Sequence, residues 1–185
     1  MKITGWLLAS ICAPSMAFSA VAHEKDQGYY GGGSSVFAII DQSDTHQDKN
    51  LYQAQYTAGI TISDRMAVEG DASIGLNRAD LFDSSGDRLG VFQQDYVSLM
   101  LLSMAPVSSD VSLYTRFGPA VSRTRTDSNL GGIVDGYSDY DIGAGAGVGV
   151  RFQNDNVAFN LGYTHYSFDD FEDSDVWGMS VLFGY

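Results

Sequence analysis

From about residue 28 onward the chain repeats one pattern: apolar residues alternate with polar or small ones. The period is two, and no stretch carries the helical repeat. The longest run is Tyr140 to Phe152. Tyr140, Ile142, Ala144, Ala146, Val148, Val150 and Phe152 share one face; Asp141, Gly143, Gly145, Gly147, Gly149 and Arg151 share the other. Val157, Phe159, Leu161 and Tyr163 alternate with Ala158, Asn160, Gly162 and Thr164. Trp177, Met179, Val181, Phe183 and Tyr185 alternate with Gly178, Ser180, Leu182 and Gly184. Met66, Val68, Ala72, Ile74 and Leu76 stand against Glu69, Asp71 and Ser73. Two further segments behave alike, Tyr52 to Ile62 and Val111 to Gly118. Val97 to Leu102 is nearly all apolar, and Tyr29 to Ile40 opens Gly/Ser-rich, so the phase of strands 28–40 and 92–105 stays open.

The pattern predicts eight strands, at 28–40, 51–63, 66–77, 92–105, 111–125, 139–152, 157–168 and 175–185. Their connections alternate in length. Ser63-Asp64-Arg65, Pro106 to Asp110 and Asn154-Asp155-Asn156 are tight turns; 41–50, 78–91, 126–138 and 169–174 are longer and polar. No blade motif repeats, so a single meander is simpler than a propeller.

Alternation does not say which face points inward. A soluble barrel buries its apolar face around a ligand, whereas a membrane barrel turns it to lipid. Strands of about ten residues suit a tilted crossing of a bilayer, and short turns at one end with long loops at the other suit an outer membrane. Trp177 and Tyr185 are spaced as two aromatic girdles would be. The polar face carries Glu69, Asp71, Arg116 and Arg151, which can pair inside a narrow lumen. The glycines at 143, 145, 147 and 149 would leave room there for Tyr114, Arg116 or Tyr166. The reading is all-β: an eight-stranded antiparallel up-and-down transmembrane β-barrel. In hydrocarbon such closure satisfies every backbone group.

Composition sharpens this picture. Ten Lys+Arg face 23 Asp+Glu, for a formal charge of −13. The scattered basic residues argue against nucleic acid. Residues 1–22 read as a secretory signal peptide: Lys2, an apolar stretch around Trp6-Leu7-Leu8-Ala9, and Ala20-Val21-Ala22 as the cleavage site. The barrel domain would then be 23–185. Cys12 is the one cysteine, and it falls in the leader, so no disulfide is expected. No resident cofactor is predicted. Asp169, Asp170, Glu172, Asp173 and Asp175 are weak candidates for divalent cations, but no Gly-centred calcium loop is present and a solvated acidic loop is the simpler reading.

Val111 to Gly118, Ile142 to Phe152, Leu161 to Phe168 and Val181 to Tyr185 together resemble the small eight-stranded outer-membrane barrels. That family includes the OmpA barrel, OmpX, and the opacity and attachment proteins. The likeness covers nearly the whole chain after the leader. It implies a Gram-negative outer membrane, an integral monomer with both termini periplasmic, and contact with lipid and lipopolysaccharide. It also implies that Trp177, Met179, Val181, Phe183 and Tyr185 form the signal read by the barrel-assembly machinery, with Tyr where Phe is commoner. The expected function is non-enzymatic: adhesion, envelope integrity or another surface interaction, with a host or cell-surface ligand at the loops.

Two alternatives remain open at this point. His165 and Ser167 share a face, and Glu172 could orient the His, which is similar to outer-membrane lipid A deacylases. Phe168 stands where those enzymes carry Asn. The other alternative is a soluble periplasmic ligand-binding barrel.

Overall fold

The computed structural model describes residues 28–40, 49–82, 88–130, 133–154, 156–169 and 173–184. The strands are β1 (Tyr29–Ile40), β2 (Lys49–Ser63), β3 (Met66–Gly75), β4 (Ala79–Phe82), β5 (Arg88–Pro106), β6 (Val111–Leu130), β7 (Ile133–Asn154), β8 (Val157–Phe168) and β9 (Ser174–Phe183). Neighbours in the chain pair antiparallel, except that β3 and β4 both pair with β5. The circle closes twice over: β1 pairs with β9, and β3 pairs directly with β5. Eight strands therefore form a closed up-and-down barrel, and the short β4 pairs with the upper part of β5. Closure leaves the ring without an edge, as its strongly alternating sequence requires.

The burial pattern places each face. Val97, Leu99, Phe117, Ile142, Val148 and Trp177 are among the large apolar residues exposed on the outside. Glu69, Asp71, Ser98, Asn160, Thr164 and Arg151 are among the polar groups buried within. The two strands of open phase resolve in the same way. Tyr30, Val36 and Ala38 of β1 point inward, as do Phe92, Tyr96, Met100, Leu102 and Met104 of β5. The lumen is thus polar at mid-height, while Ala67, Leu102, Met104, Ala158 and Leu182 form an apolar cap at the tight-turn end.

Two expected loops are largely strand. Segment 126–138 continues the β6–β7 ladder to Leu130↔Ile133, and 78–91 contains β4, which pairs with the stretch from Arg88 to Phe92. The residues there are polar, so composition reads as loop. Outside an apolar belt, however, alternation need not involve hydrophobic residues, and the ladder continues on backbone hydrogen bonds alone. Strands β5, β6 and β7 reach 19, 20 and 22 residues, against 10 for β9. They raise a sheet well past the end of β8 and β9.

Candidate functional site

The most strongly organised chemistry lies inside the barrel. β3 is inward at every second residue, which delivers Glu69 and Asp71 to the lumen side by side. β6 delivers Arg116 and β7 delivers Arg151. The side chain of Arg151 is 0% exposed. Its Nη2 donates to Glu69 Oε1 at 2.7 Å and its Nε to Asn160 Oδ1 at 2.8 Å. The guanidinium carbon lies 5.6 Å from the Tyr30 ring centre and 5.7 Å from that of Tyr114, so two aromatic rings flank the cation. Tyr30 also donates its hydroxyl to Glu69 Oε1 at 2.7 Å. Arg116 Nη2 donates to Asp71 Oδ2, and its Nη1 stands 3.9 Å from Glu69. Thr57 and Ser98 complete Asp71 at 2.6 and 3.1 Å.

The structure therefore brings the four charges read from the sequence, Glu69, Asp71, Arg116 and Arg151, into one neutral cluster. Every barrel strand except β9 supplies a member. Sequence reasoning missed Tyr30, because the phase of β1 was open. It also missed the choice of partners, which depends on register rather than on the face alone. Small residues opposite make the space. A side chain at Gly147 would meet Arg116 Cγ at 3.1 Å, and one at Gly145 would meet the Tyr166 ring at 2.6 Å. Between Thr57, Glu69, Tyr96, Tyr114, Arg116 and Thr164 a cavity of about 40 Å³ remains, room for a few waters at most. Arg116 Nε lies buried with no hydrogen-bond partner among the described residues.

The outer face at the long-loop end holds a second cluster. Tyr163 and Trp177 rings pack 4.8 Å apart, and Phe37 and Tyr52 rings 5.4 Å apart, like a girdle. Just beyond, Asp175 Oδ1 accepts from Tyr163 OH at 2.6 Å and sits 2.9 Å from His165 Nδ1. His165 Nε2 is 3.8 Å from Asp173. Ser167 shares the outward face with His165, and it is exposed, but the histidine is engaged by Asp175 and Asp173 instead. Glu172 and Asp170 lie outside the described residues. Among the described residues no group of three metal-ligating side chains converges, Asp169, Asp173 and Asp175 included. Trp177, Met179, Val181 and Phe183 all point outward on β9. Tyr185 and residues 1–22 lie outside the described residues.

This fold is similar to that of Neisserial surface protein A, with a TM-score of 0.67 at 18% identity, covering 87% of this chain and 100% of that one. It is similar to Ail, the attachment invasion locus protein of Yersinia pestis (TM-score 0.58, 16% identity, 85% of this chain and 96% of that one). It is also similar to the outer membrane protein OprG from Pseudomonas aeruginosa (TM-score 0.56, 12% identity, 88% and 95%). No curated protein matches the chain. The family model described as the outer membrane protein beta-barrel domain matches residues 7–185. The closed ring accords with that match, and the chain belongs to this family of outer-membrane β-barrels.

Proposed function

We propose that the protein is a non-enzymatic surface-contact barrel of a Gram-negative outer membrane. It would act as a monomer, with both termini periplasmic and a host or cell-surface ligand, or a neighbouring envelope component, bound at the loop end. Strand length is the observation that carries this reading. A tilted crossing needs about ten residues per strand, and β5, β6 and β7 have 19, 20 and 22. The surplus stands beyond the belt as a paired sheet. The filled lumen argues against transport through the centre, since an eight-stranded barrel occupied by side chains leaves no continuous channel.

Single-cysteine labelling tests the orientation. Ser138 is exposed on the raised sheet and Asn156 is exposed in the tight turn before β8. In intact cells a membrane-impermeant maleimide should react with the Ser138→Cys variant. The Asn156→Cys variant should react only after the outer membrane is opened. The reverse pattern turns the raised sheet to the periplasm and ends the proposal.

The contacts of His165 favour a non-catalytic role for this face. A Ser167→Ala variant should leave the acyl content of lipid A in cells unchanged from wild type. A loss of deacylated lipid A in that variant would instead make His165 and Ser167 a catalytic pair.

A further inference from the structure

We infer that the outer wall of β8, β9 and β1 is a docking groove for an amphiphile with one hydrocarbon chain and a protonated primary amine as its head. The groove lies on the lipid-facing side, apart from the raised sheet, and is the same whichever leaflet the loop end meets.

Register builds the groove. Phe37 pairs with Trp177 and Trp177 with Tyr163, so three rings stand in one outward row. Two residues nearer the tight turns, Ser35 pairs with Met179 and Met179 with Leu161. Between these rows Val36 points inward, and Gly178, Gly162 and Gly149 beside it present only backbone. The space over that backbone is about 610 Å³, and Phe37, Tyr52, Tyr163, Trp177, Leu161 and Met179 are among the residues that line it. Ligand pockets run from roughly 300 to 1,000 Å³.

The next row toward the loops is acidic. Asp175 pairs with His165 and follows Trp177 on the outward face. Asp175 Oδ1 takes both of its contacts, the Tyr163 hydroxyl at 2.6 Å and His165 Nδ1 at 2.9 Å. Its Oδ2 accepts nothing among the described residues. Asp173 lies 3.8 Å from the other imidazole nitrogen, and both carboxylates are about half exposed. Asp169 is exposed just past β8. Phe37, Asn50, Tyr52, Ala144 and Ala146, outward on the neighbouring strands, are uncharged. Three carboxylates thus stand with one imidazole, so the patch is negative whether or not His165 carries a proton.

This pairing of groove and charge selects the occupant. Hydrocarbon covers the groove whatever the lipid, so the head decides. A carboxylate oxygen open above two aromatic rings suits an ammonium group. Oδ2 accepts an N–H, and the rings of Trp177 and Tyr163, 4.8 Å apart, attract the charge. An anionic head is repelled here, and an uncharged one gains no ion pair. A water-soluble amine would leave the groove unused.

The chain carries two tryptophans, Trp6 and Trp177, so a Trp6→Phe background leaves the emission to Trp177. Folded in micelles of a neutral maltoside detergent at neutral pH, the barrel is titrated with brominated octadecylamine or with the matching alcohol or carboxylic acid. Bromine quenches an indole beside it, and equal chains make the head the one variable. The amine should reach half-quenching at about one-fifth of the mole fraction that the alcohol needs, and the acid should need the most. Added salt should narrow the gap. An Asp173→Asn/Asp175→Asn variant, its folding checked by heat-modifiable migration, should respond alike to amine and alcohol. If that variant does not fold, Asp175→Asn alone replaces it, since its amide oxygen still accepts from Tyr163. Equal quenching by amine and alcohol in the Trp6→Phe protein overturns the inference. So does a folded variant that keeps the preference, which would trace it to the acidic chain as a whole.

Discussion

Replacing Arg151 with leucine should destabilise the barrel by about 3–5 kcal/mol. The size follows from what is left behind. Among the described residues, Glu69, at 1% exposure, would keep the hydroxyl of Tyr30 and the more distant Arg116 at 3.9 Å. Asn160 would lose the Nε–H donor that meets its Oδ1. A buried carboxylate without its partner costs far more than the pair contributed, because the desolvation of the remaining charge is no longer offset. The measurement is the urea midpoint for unfolding from lipid vesicles, followed by loss of heat-modifiable migration. Adding Glu69→Gln to Arg151→Leu should recover part of the loss, since a neutral amide still accepts from Tyr30 and carries no charge. A double variant no more stable than Arg151→Leu would show that packing between the Tyr30 and Tyr114 rings, and not charge, accounts for the effect.

The second large effect is steric. Gly162→Ala should cost about 1–3 kcal/mol through overpacking. A methyl group there would collide with the Tyr114 hydroxyl, while Tyr114 Cζ at 3.3 Å and Val148 O at 3.5 Å stand further off. The obstacle is thus a single oxygen. Tyr114→Phe removes it, so the Gly162→Ala/Tyr114→Phe chain should unfold at a higher urea concentration than Gly162→Ala alone. Additive losses would place the strain in the backbone rather than at the phenol. The pair also probes whether Tyr114 is held rigidly against Arg151, since a mobile ring would simply step aside.

Both predictions depend on features of unequal visibility in the sequence. The outward and inward faces of β3, β7 and β8 were readable, because Val157, Phe159 and Leu161 alternate without interruption against Ala158, Asn160 and Gly162. The turn at Ser63-Asp64-Arg65 was equally plain from its polar residues between apolar runs. Leu99, Met100, Leu101 and Leu102 carry no polar marker between Ser98 and Ser103, so β5 could be placed on neither face until its register was known. The raised sheet was hidden for the opposite reason. Thr124, Arg125 and Asp127 have the composition of a loop, and what makes them strand is the continued pairing of β6 with β7. The four luminal charges were legible as a set. That Arg151 meets Glu69 and Arg116 meets Asp71 was not, because chain separation says nothing about relative height around a sheared ring.

The pairing of Gly31 with Phe183 has a consequence for biogenesis. β1 is made first and finds its second neighbour only when β9 exists, so no early hairpin can become a finished unit. Until then the nascent polypeptide presents two unzipped rims and an oily exterior to water, a form prone to aggregate. Shielding of both rims from water until the seam closes would limit that hazard.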